Sequence, residues 1–403
     1  MRRSPFVEQR PRTALIATLA VLAIGLAACG SDPSTSAAND PASDEVATTV
    51  ATTAAGDEAA GSTTPDTVAN SAADTSSDSV ADSVAGTEPA SAADEPAPTI
   101  PPGTTLRIGD QGGGLETPLK LAGEPDDVPY DSEFATFASG PLVNEAFAAD
   151  AIDIGIMGDT PALLSYAAGL DTVVVGIRSS DGVAQTLVAA PGSGIETLED
   201  LKGRKVAWAT GTSQHGFVLR ALDSIGLTQD DVEQVDVPLT DVANVLAGGQ
   251  ADAAVLYEVF RPPYIDEHPG AVELVTLKDF IPSYTYLLAS RKAVEDPAKA
   301  AAIEDFVTRL VRSGQWVDEN PDAFIQAYYV DGQKQTPEYG KQAYDSQGFT
   351  EWIEPAGQAQ IDQQEQADLF YEAGFLPEKV DLGPQFDPAV TSRFTTAIQE
   401  AQQ

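Results

Sequence analysis

The sequence is poor in the residues on which disulfides and metal sites depend. Its 403 residues include one cysteine and two histidines. A single cysteine forms no internal disulfide, so the folded part must rely on its core, and these few side chains predict neither a metal site nor a cofactor. Basic residues are also scarce, with 22 Lys and Arg against 62 Asp and Glu and a formal net charge of −40. This charge argues against nucleic acid and anionic membrane surfaces as partners.

Residues 1–28 have the pattern of a secretory signal peptide. Several arginines precede an apolar run from Ala14 to Ala28, which ends in small side chains. The run is too short to predict a membrane span. We therefore expect an extracytoplasmic protein that begins at Cys29 after cleavage.

The only cysteine, Cys29, stands at the expected cleavage point. It is either a chance thiol of the signal or a lipidation site. The second reading rests on Leu26-Ala27-Ala28-Cys29, which resembles the lipobox of bacterial lipoproteins. That resemblance implies a diacylglycerol on the Cys29 thiol, which anchors the protein to the outer face of the cell membrane.

Residues 29–103 follow as a tether of Ser, Thr, Ala, Asp, Glu and Pro with almost no large apolar side chain. Such a composition predicts a disordered, extended segment. The remaining 104–403 are long enough to form two lobes with their own cores.

Strand and helix patterns alternate after residue 104, which favours an α/β fold. "LRIG", "AIDIGIMG", "DTVVVGI" and "TLVAA" predict strands, and "GPLVNEAFAAD" has helical spacing. A second copy follows, because "KVAWATG" parallels "LRIGDQG" and "NVLAGGQADAAVLY" parallels "EAFAADAIDIGIMG". From about residue 291 the pattern is mostly helical. In open α/β sheets, ligands bind at the carboxyl ends of strands.

The segments "AIDIGIMGDTPALLSYAAG", "LEDLKGRKVAWATGTSQHGFVLRAL" and "GGQADAAVLYE" resemble the substrate-binding proteins of bacterial ABC importers. The nitrate, sulfonate and taurine group, and its aliphatic-sulfonate binders above all, are the most similar. The resemblance covers roughly 104–330.

The resemblance implies a type II periplasmic-binding-protein fold, with a hinge and a ligand cleft between two α/β lobes. Lobe 1 is expected over 104–187 and 289–403, and lobe 2 over 188–288, with crossings near 188–192 and 286–290. It also implies a small-molecule ligand and an ABC-transporter permease as partners. We expect the protein to be a monomer.

The loops that follow the strands contain the candidate ligand-binding residues, which are Gln111, Gly112, Gly113, Asp159, Thr160, Gly211, Thr212, Ser213, His215, Tyr257 and Glu258. Glycines let a backbone approach a ligand closely, and a helix start favours anions. Asp159, Thr212 and Ser213 can either bind a ligand or cap the helices that follow them, and the sequence leaves both possibilities open. Asp110 and Glu258 would repel an anion unless a cation lies beside them. Arg261 is a candidate for that cation.

A nucleophile pair of Ser213 and His215 is disfavoured, because residues two apart on a helix do not face each other. No Gly-x-Ser-x-Gly motif surrounds Ser213 either. The sequence therefore predicts a non-catalytic, lipid-anchored binding protein that delivers a small, sulfonate-like organic anion to an ABC importer. The alternatives are a binder of a nitrogenous heterocycle such as a thiamine-precursor pyrimidine, a secreted enzyme and a structural surface lipoprotein.

We expect Cys29→Ala to release the protein from the membrane fraction without changing its melting temperature, since the lipid is attached only through that thiol. Fractionation after a carbonate wash measures the release. A variant that still sediments with membranes would contradict the predicted anchor.

Overall fold

The computed structural model describes residues 99–125 and 127–403. The predicted signal peptide, Cys29 and the tether up to residue 98 lie outside the described residues. Within them, no helix combines the length and the apolar character that a bilayer crossing requires.

Two mixed sheets organise the chain. The strands of the first sheet are β1 (Thr105–Gln111), β2 (Asp131–Phe137), β3 (Ile154–Gly158), β4 (Thr172–Ser180), β10 (Ser283–Ser290) and β11 (Thr350–Ile353). They are ordered β11-β4-β10-β3-β1-β2, with β1 parallel to both β2 and β3 and with β10 antiparallel to β3 and β4.

The second sheet repeats this plan with five strands. They are β5 (Gln185–Ala189), β6 (Lys205–Trp208), β7 (Glu233–Asp236), β8 (Ala253–Tyr257) and β9 (Val272–Thr276). Their order is β7-β6-β8-β5-β9, and β6 is parallel to both β7 and β8.

Helices follow the parallel strands of both sheets. They are α1 (Glu116–Ala122), α2 (Gly140–Ala148), α3 (Asp159–Ala167), α4 (Ser213–Asp223), α5 (Val242–Ala247) and α6 (Arg261–Glu267). Short 3₁₀ helices occupy Leu198–Leu201, Gln229–Asp231, Leu239–Asp241, Leu277–Asp279 and Gly383–Phe386. Pro141 in the first turn of α2 suits that position, because a proline there loses no intrahelical hydrogen bond.

The C-terminal region is helical, as predicted. It contains α7 (Arg291–Glu295), α8 (Pro297–Glu319), α9 (Pro321–Phe324), a π-helical stretch Ile325–Gly332, α10 (Pro337–Gln347), α11 (Gln358–Glu372) and α12 (Pro388–Ala401). Asp296 caps α8 by accepting hydrogen bonds from the backbone N–H groups of Ala298 and Lys299. The apolar stripe of α8 packs into the core of the first sheet. The predicted α/β class with a helical C-terminal region is confirmed.

The chain crosses between the sheets at different residues from those predicted. The first crossing lies between β4 and β5, at residues 181–184, and the second lies between β9 and β10, at 277–282. Val188 and Tyr286, which the prediction placed at crossings, are fully buried inside strands. Both residues form ladder pairs instead, Val188 with Ala254 of β8 and Tyr286 with Met157 of β3.

An aspartate precedes the equivalent strand in each half. Asp153 accepts a hydrogen bond from the backbone N–H of Arg107 (3.0 Å), and Asp252 accepts one from the N–H of Lys205 (2.9 Å). Asp153 is buried and also pairs with the Arg107 guanidinium (2.7 Å) and with Lys299 Nζ (2.6 Å). Burial opposes its ionisation, but the hydrogen bonds from Arg107 and Lys299 outweigh that effect and hold the pKa of Asp153 below its ordinary value.

Asp153 and Asp252 occupy equivalent positions in the two halves, so the effects of substituting them can be compared directly. We expect Asp153→Asn to lower the free energy of unfolding by about 2 kcal/mol, because it weakens charge-assisted hydrogen bonds, and Asp252→Asn by about 1 kcal/mol or less. Urea unfolding at neutral pH measures both losses. Because the folded-state pKa of Asp153 is lowered, its contribution is present at neutral pH and is lost as the pH falls through that pKa. Equal losses for the two variants would contradict this account.

Candidate ligand-binding site

A cavity of about 310 Å³ lies between the ends of the two sheets. The first sheet contributes residues that follow β1, β3 and β4, and the second contributes residues that follow β6 and β8. The carboxyl ends of parallel strands in both halves therefore meet at one cleft, the position that α/β sheets favour for ligands.

Most of the predicted binding residues line this cavity. Those that line it are Gln111, Gly112, Asp159, Thr212, Ser213, Tyr257 and Glu258. Those that do not are Gly113, Thr160, Gly211 and His215.

The carboxyl group of Asp159 is buried at the first turn of α3. It accepts a hydrogen bond from the N–H of Thr160 (2.6 Å). Burial raises the pKa of Asp159, and hydrogen bonds from Ser213 and Thr160 oppose the rise. The carboxyl group thus lies where the first turn of α3 meets the start of α4, and it uses donors from both helices.

The start of α4 faces the cavity without a side-chain cap. Thr212 occupies the N-cap position, but its hydroxyl donates to the carbonyl of Ala209 (2.8 Å) instead of accepting from the helix. The positive end of the α4 dipole is therefore directed at the cavity. Thr212 therefore does not cap α4, contrary to one of the two interpretations of this segment.

Ser213 lies tightly against Gly158 across the gap between the two sheets. A β-carbon added at Gly158 would lie 2.0 Å from Ser213 Oγ. The backbone angles of Gly158 (φ −69°, ψ 176°) suit any residue, so it is this contact that requires glycine. The starts of α3 and α4 can therefore approach this closely only because residue 158 is a glycine.

His215 is turned away from the cavity and is buried in an aromatic cluster. Its ring centroid lies 4.8 Å from that of Phe370 and 4.9 Å from that of Phe375, and Trp208 stacks on it. Burial lowers the pKa of His215, which favours the neutral imidazole. Helical spacing explains the difference from the prediction, because residues two apart on α4 face different directions.

Thr160 connects three helices instead of facing the cavity. Its Oγ1 accepts from Gln366 Nε2 (2.9 Å), and Gln366 Oε1 accepts from Arg220 Nε (3.1 Å). The chain of bonds runs from α3 through α11 to α4. The hydroxyl that was predicted to bind a ligand therefore holds the two halves together.

Asp110 also has a structural role. Its buried carboxylate accepts from the backbone N–H groups of Leu115 (3.0 Å) and Glu116 (2.9 Å). These bonds hold the glycine turn in which Gly112 and Gly113 adopt positive φ angles of 67° and 80°. Asp110 is absent from the residues that line the cavity.

Glu258 follows β8 and lines the cavity, half-buried. Arg261 does not neutralise it, because that guanidinium bonds to Glu273 (3.2 Å) and to Ser346 Oγ (2.9 Å). Burial raises the pKa of Glu258, and hydrogen bonds from its own backbone N–H and from Gln347, together with the charge of Arg178, only partly oppose the rise.

Arg178, near the end of β4, was missed by the sequence analysis. It is half-buried and is the only Lys, Arg or His among the described residues that line the cavity. Within the described ranges its guanidinium has neither a hydrogen-bond nor an ion-pair partner. A signal was present in the sequence, since "VVVGIRSS" places a lone arginine where a buried strand ends.

The C-terminal region completes the cavity wall with Tyr328 of the π-helical stretch, Gln333 directly after it, Gln347 of α10 and Thr350 of β11. Burial raises the pKa of Tyr328 to about 12, so its hydroxyl remains protonated at neutral pH. The sequence predicted helices here, but none of its candidate ligand-binding residues lies among them. Their polar residues gave no signal, because the tyrosines and glutamines lie in helical stretches without a motif.

Comparison with known proteins agrees with this architecture. The NMT1/THI5-like family model matches residues 138–324. A protein of Escherichia coli (strain K12) named as an aliphatic sulfonates-binding protein is 29% identical over 294 residues, which cover 69% of this chain and 86% of that protein. The crystal structure of the periplasmic aliphatic sulphonate binding protein SsuA from Escherichia coli has a TM-score of 0.62 at 27% identity and covers 70% of this chain and 91% of that one.

A second relative bears a different name. A thiamine biosynthesis protein of Haemophilus influenzae is 27% identical over 198 residues, which cover 47% of this chain and 60% of that protein. This chain thus spans less than two thirds of that relative's length. The predicted resemblance to periplasmic binding proteins of the sulfonate group is confirmed, as is their fold.

The contact between Gly158 and Ser213 can be tested with a double-mutant cycle. We expect Gly158→Ala to lower the free energy of unfolding by about 1–3 kcal/mol through overpacking, and Ser213→Ala in the same chain to recover much of that loss. Chemical unfolding of the wild type, both single variants and the double variant gives the coupling energy. Additive losses would show that the two residues are not in contact.

Proposed function

We propose that this chain, a relative of the NMT1/THI5-like and aliphatic sulfonate-binding proteins, captures a small organic anion of the sulfonate type and delivers it to the permease of an ABC importer. The observation that carries the proposal is the unpaired guanidinium of Arg178 in the cavity between the two sheets. The name of the Escherichia coli relative supports the ligand class.

Arg178 suits a sulfonate for geometric and electrostatic reasons. A guanidinium presents parallel N–H donors that can bind two oxygens of one anion. The uncapped start of α4 adds a second favourable field. Arg178 is half-buried, so solvent screens its charge less than that of an exposed arginine. The carboxyl group of Asp159, beside Ser213, makes the α4 side less favourable than the Arg178 side.

The proposal includes a lipid anchor on Cys29 at the outer face of the membrane. The lipobox-like Leu26-Ala27-Ala28-Cys29 supports it, as does a tether long enough to separate the binding domain from the bilayer. Capture close to the membrane would keep the loaded protein near its permease.

A second candidate ligand is a nitrogenous heterocycle such as a thiamine-precursor pyrimidine. It is favoured by Glu258, whose half-buried carboxyl group faces the cavity and can accept hydrogen bonds from ring or amino N–H groups. The Haemophilus influenzae relative gives it further support. Hydrolysis is disfavoured, because Ser213 and His215 point to different environments.

We expect Arg178→Gln to weaken the binding of propane-1-sulfonate at least about tenfold, because a charged hydrogen-bond donor is lost. Titration calorimetry measures the affinity. Arg312→Gln is the matched control, since it removes an exposed arginine of α8 outside the cavity. Unchanged affinity in the Arg178 variant, or tight binding of a pyrimidine with none of a sulfonate, would refute the proposed ligand class.

A further inference from the structure

The chain connections between the two halves lie at one side of the second sheet. The first crossing leads into β5 and the second leads out of β9, and these strands are neighbours at one end of the order β7-β6-β8-β5-β9. The helix α4 follows β6, which β8 separates from β5. Contacts of α4 with the other half therefore lie away from the crossings, where they oppose a hinge opening of the cavity.

The helix α11 is fastened to the half built on the first sheet. Tyr284 of β10 donates its hydroxyl to the carboxylate of Asp362 (2.9 Å), and Tyr286 donates to the carbonyl of Ala359 (3.1 Å). All four residues are buried. Because a buried polar group is costly to leave without its partner, we expect α11 to move with the first sheet.

Two side chains of the second half reach across to α11 and the turn after it. Arg220 of α4 donates from Nη2 to the carbonyl of Asp362 (2.8 Å) and from Nε to Gln366 Oε1 (3.1 Å). Gln229, shortly after α4, donates its amide to the carbonyl of Ala373 (2.9 Å). Hydrogen bonds from a charged donor are stronger than those between neutral groups, so Arg220 makes the main contribution.

These bonds lie outside the cavity but hold one of its walls in place. The residues that form them do not line the cavity, whereas Thr212 and Ser213, at the start of the same α4, do. A movement of α4 away from α11 would carry both residues away from the first sheet and would widen the cleft. The bonds to α11 thus hold the cavity together without touching a ligand.

We propose that Arg220 and Gln229 are positioning residues that latch the two halves around the ligand, so that its release requires their bonds to α11 and Ala373 to break. This inference rests on the proposed function and adds the step that determines how long the ligand stays bound. A latch favours the closed arrangement, and the apparent affinity falls when the binding-competent arrangement is less populated. The helix α11 lies outside residues 138–324, which the family model matches.

Arg220→Met tests the latch, because it keeps an unbranched side chain and removes the donors. We expect propane-1-sulfonate to bind about tenfold more weakly and to dissociate about tenfold faster, without slower association. One ligand should still bind per protein molecule, because the cavity wall keeps its residues. Titration calorimetry measures the affinity and stoichiometry, and stopped-flow fluorescence measures both rates.

Arg393→Met is the matched control, since it removes a guanidinium that pairs with Glu304 (2.6 Å) inside one half. It should lower the melting temperature and leave both rates unchanged. An unchanged dissociation rate in Arg220→Met, or an equal acceleration in the control, would refute the latch while the sulfonate site stands. If Arg220→Met does not fold, Gln229→Ala replaces it, with dissociation about threefold faster as the expected result and an unchanged rate as the refuting one.

The ligand-free protein separates this inference from the proposed function. If the wild type does not bind propane-1-sulfonate, the proposed function is refuted, and amide hydrogen exchange without ligand still tests the latch. We expect faster exchange in α4 and α11 of Arg220→Met, or of Gln229→Ala in its place, and wild-type exchange there in Arg393→Met. Exchange that is unchanged in the latch variant would refute the latch.

Discussion

An unpaired, half-buried arginine in an otherwise acidic cavity is the constraint from which the functional account follows. Arg178 lies in the same 310 Å³ space as the carboxyl groups of Asp159 and Glu258, and no other cationic side chain of the described residues lines it. A half-buried guanidinium attracts an anion more strongly than an exposed one, because solvent screens its charge less. The carboxyl groups then restrict which anions fit, because a ligand must avoid them or carry a donor for them.

The C-terminal region gives the cavity its rigidity as well as part of its wall. Gln363 of α11 donates to the carbonyl of Asp159 (2.8 Å), and Gln366 joins Thr160 to Arg220. Phe370 of α11 packs on His215. One helix thus fixes the first turn of α3 against α4, and the close contact of Gly158 with Ser213 depends on that arrangement. Residues predicted to bind a ligand, Thr160 and His215, instead hold the cavity in shape.

The sequence revealed the strands and the loops that follow them, because a buried strand must be apolar and its end is marked by glycine and small polar residues. It did not reveal the direction of each side chain, so Gln111 and Ser213 could not be distinguished from Thr160 and His215. Arg178 was overlooked because a single arginine in a strand has no motif, and only the pairing of β4 with β10 and β11 places it at the cavity. The positions of the crossings depend on long-range packing, which a local sequence pattern does not encode. The same holds for the places of Tyr328 and Gln347 in the cavity wall.

A crystal structure with 2-bromoethanesulfonate would test the central claim most directly, because anomalous scattering from bromine fixes the orientation of the ligand. The account predicts bromine density inside the cavity and sulfonate oxygens within about 3 Å of the Arg178 guanidinium nitrogens. A sulfonate bound only at the start of α4, or outside the cavity, would contradict it.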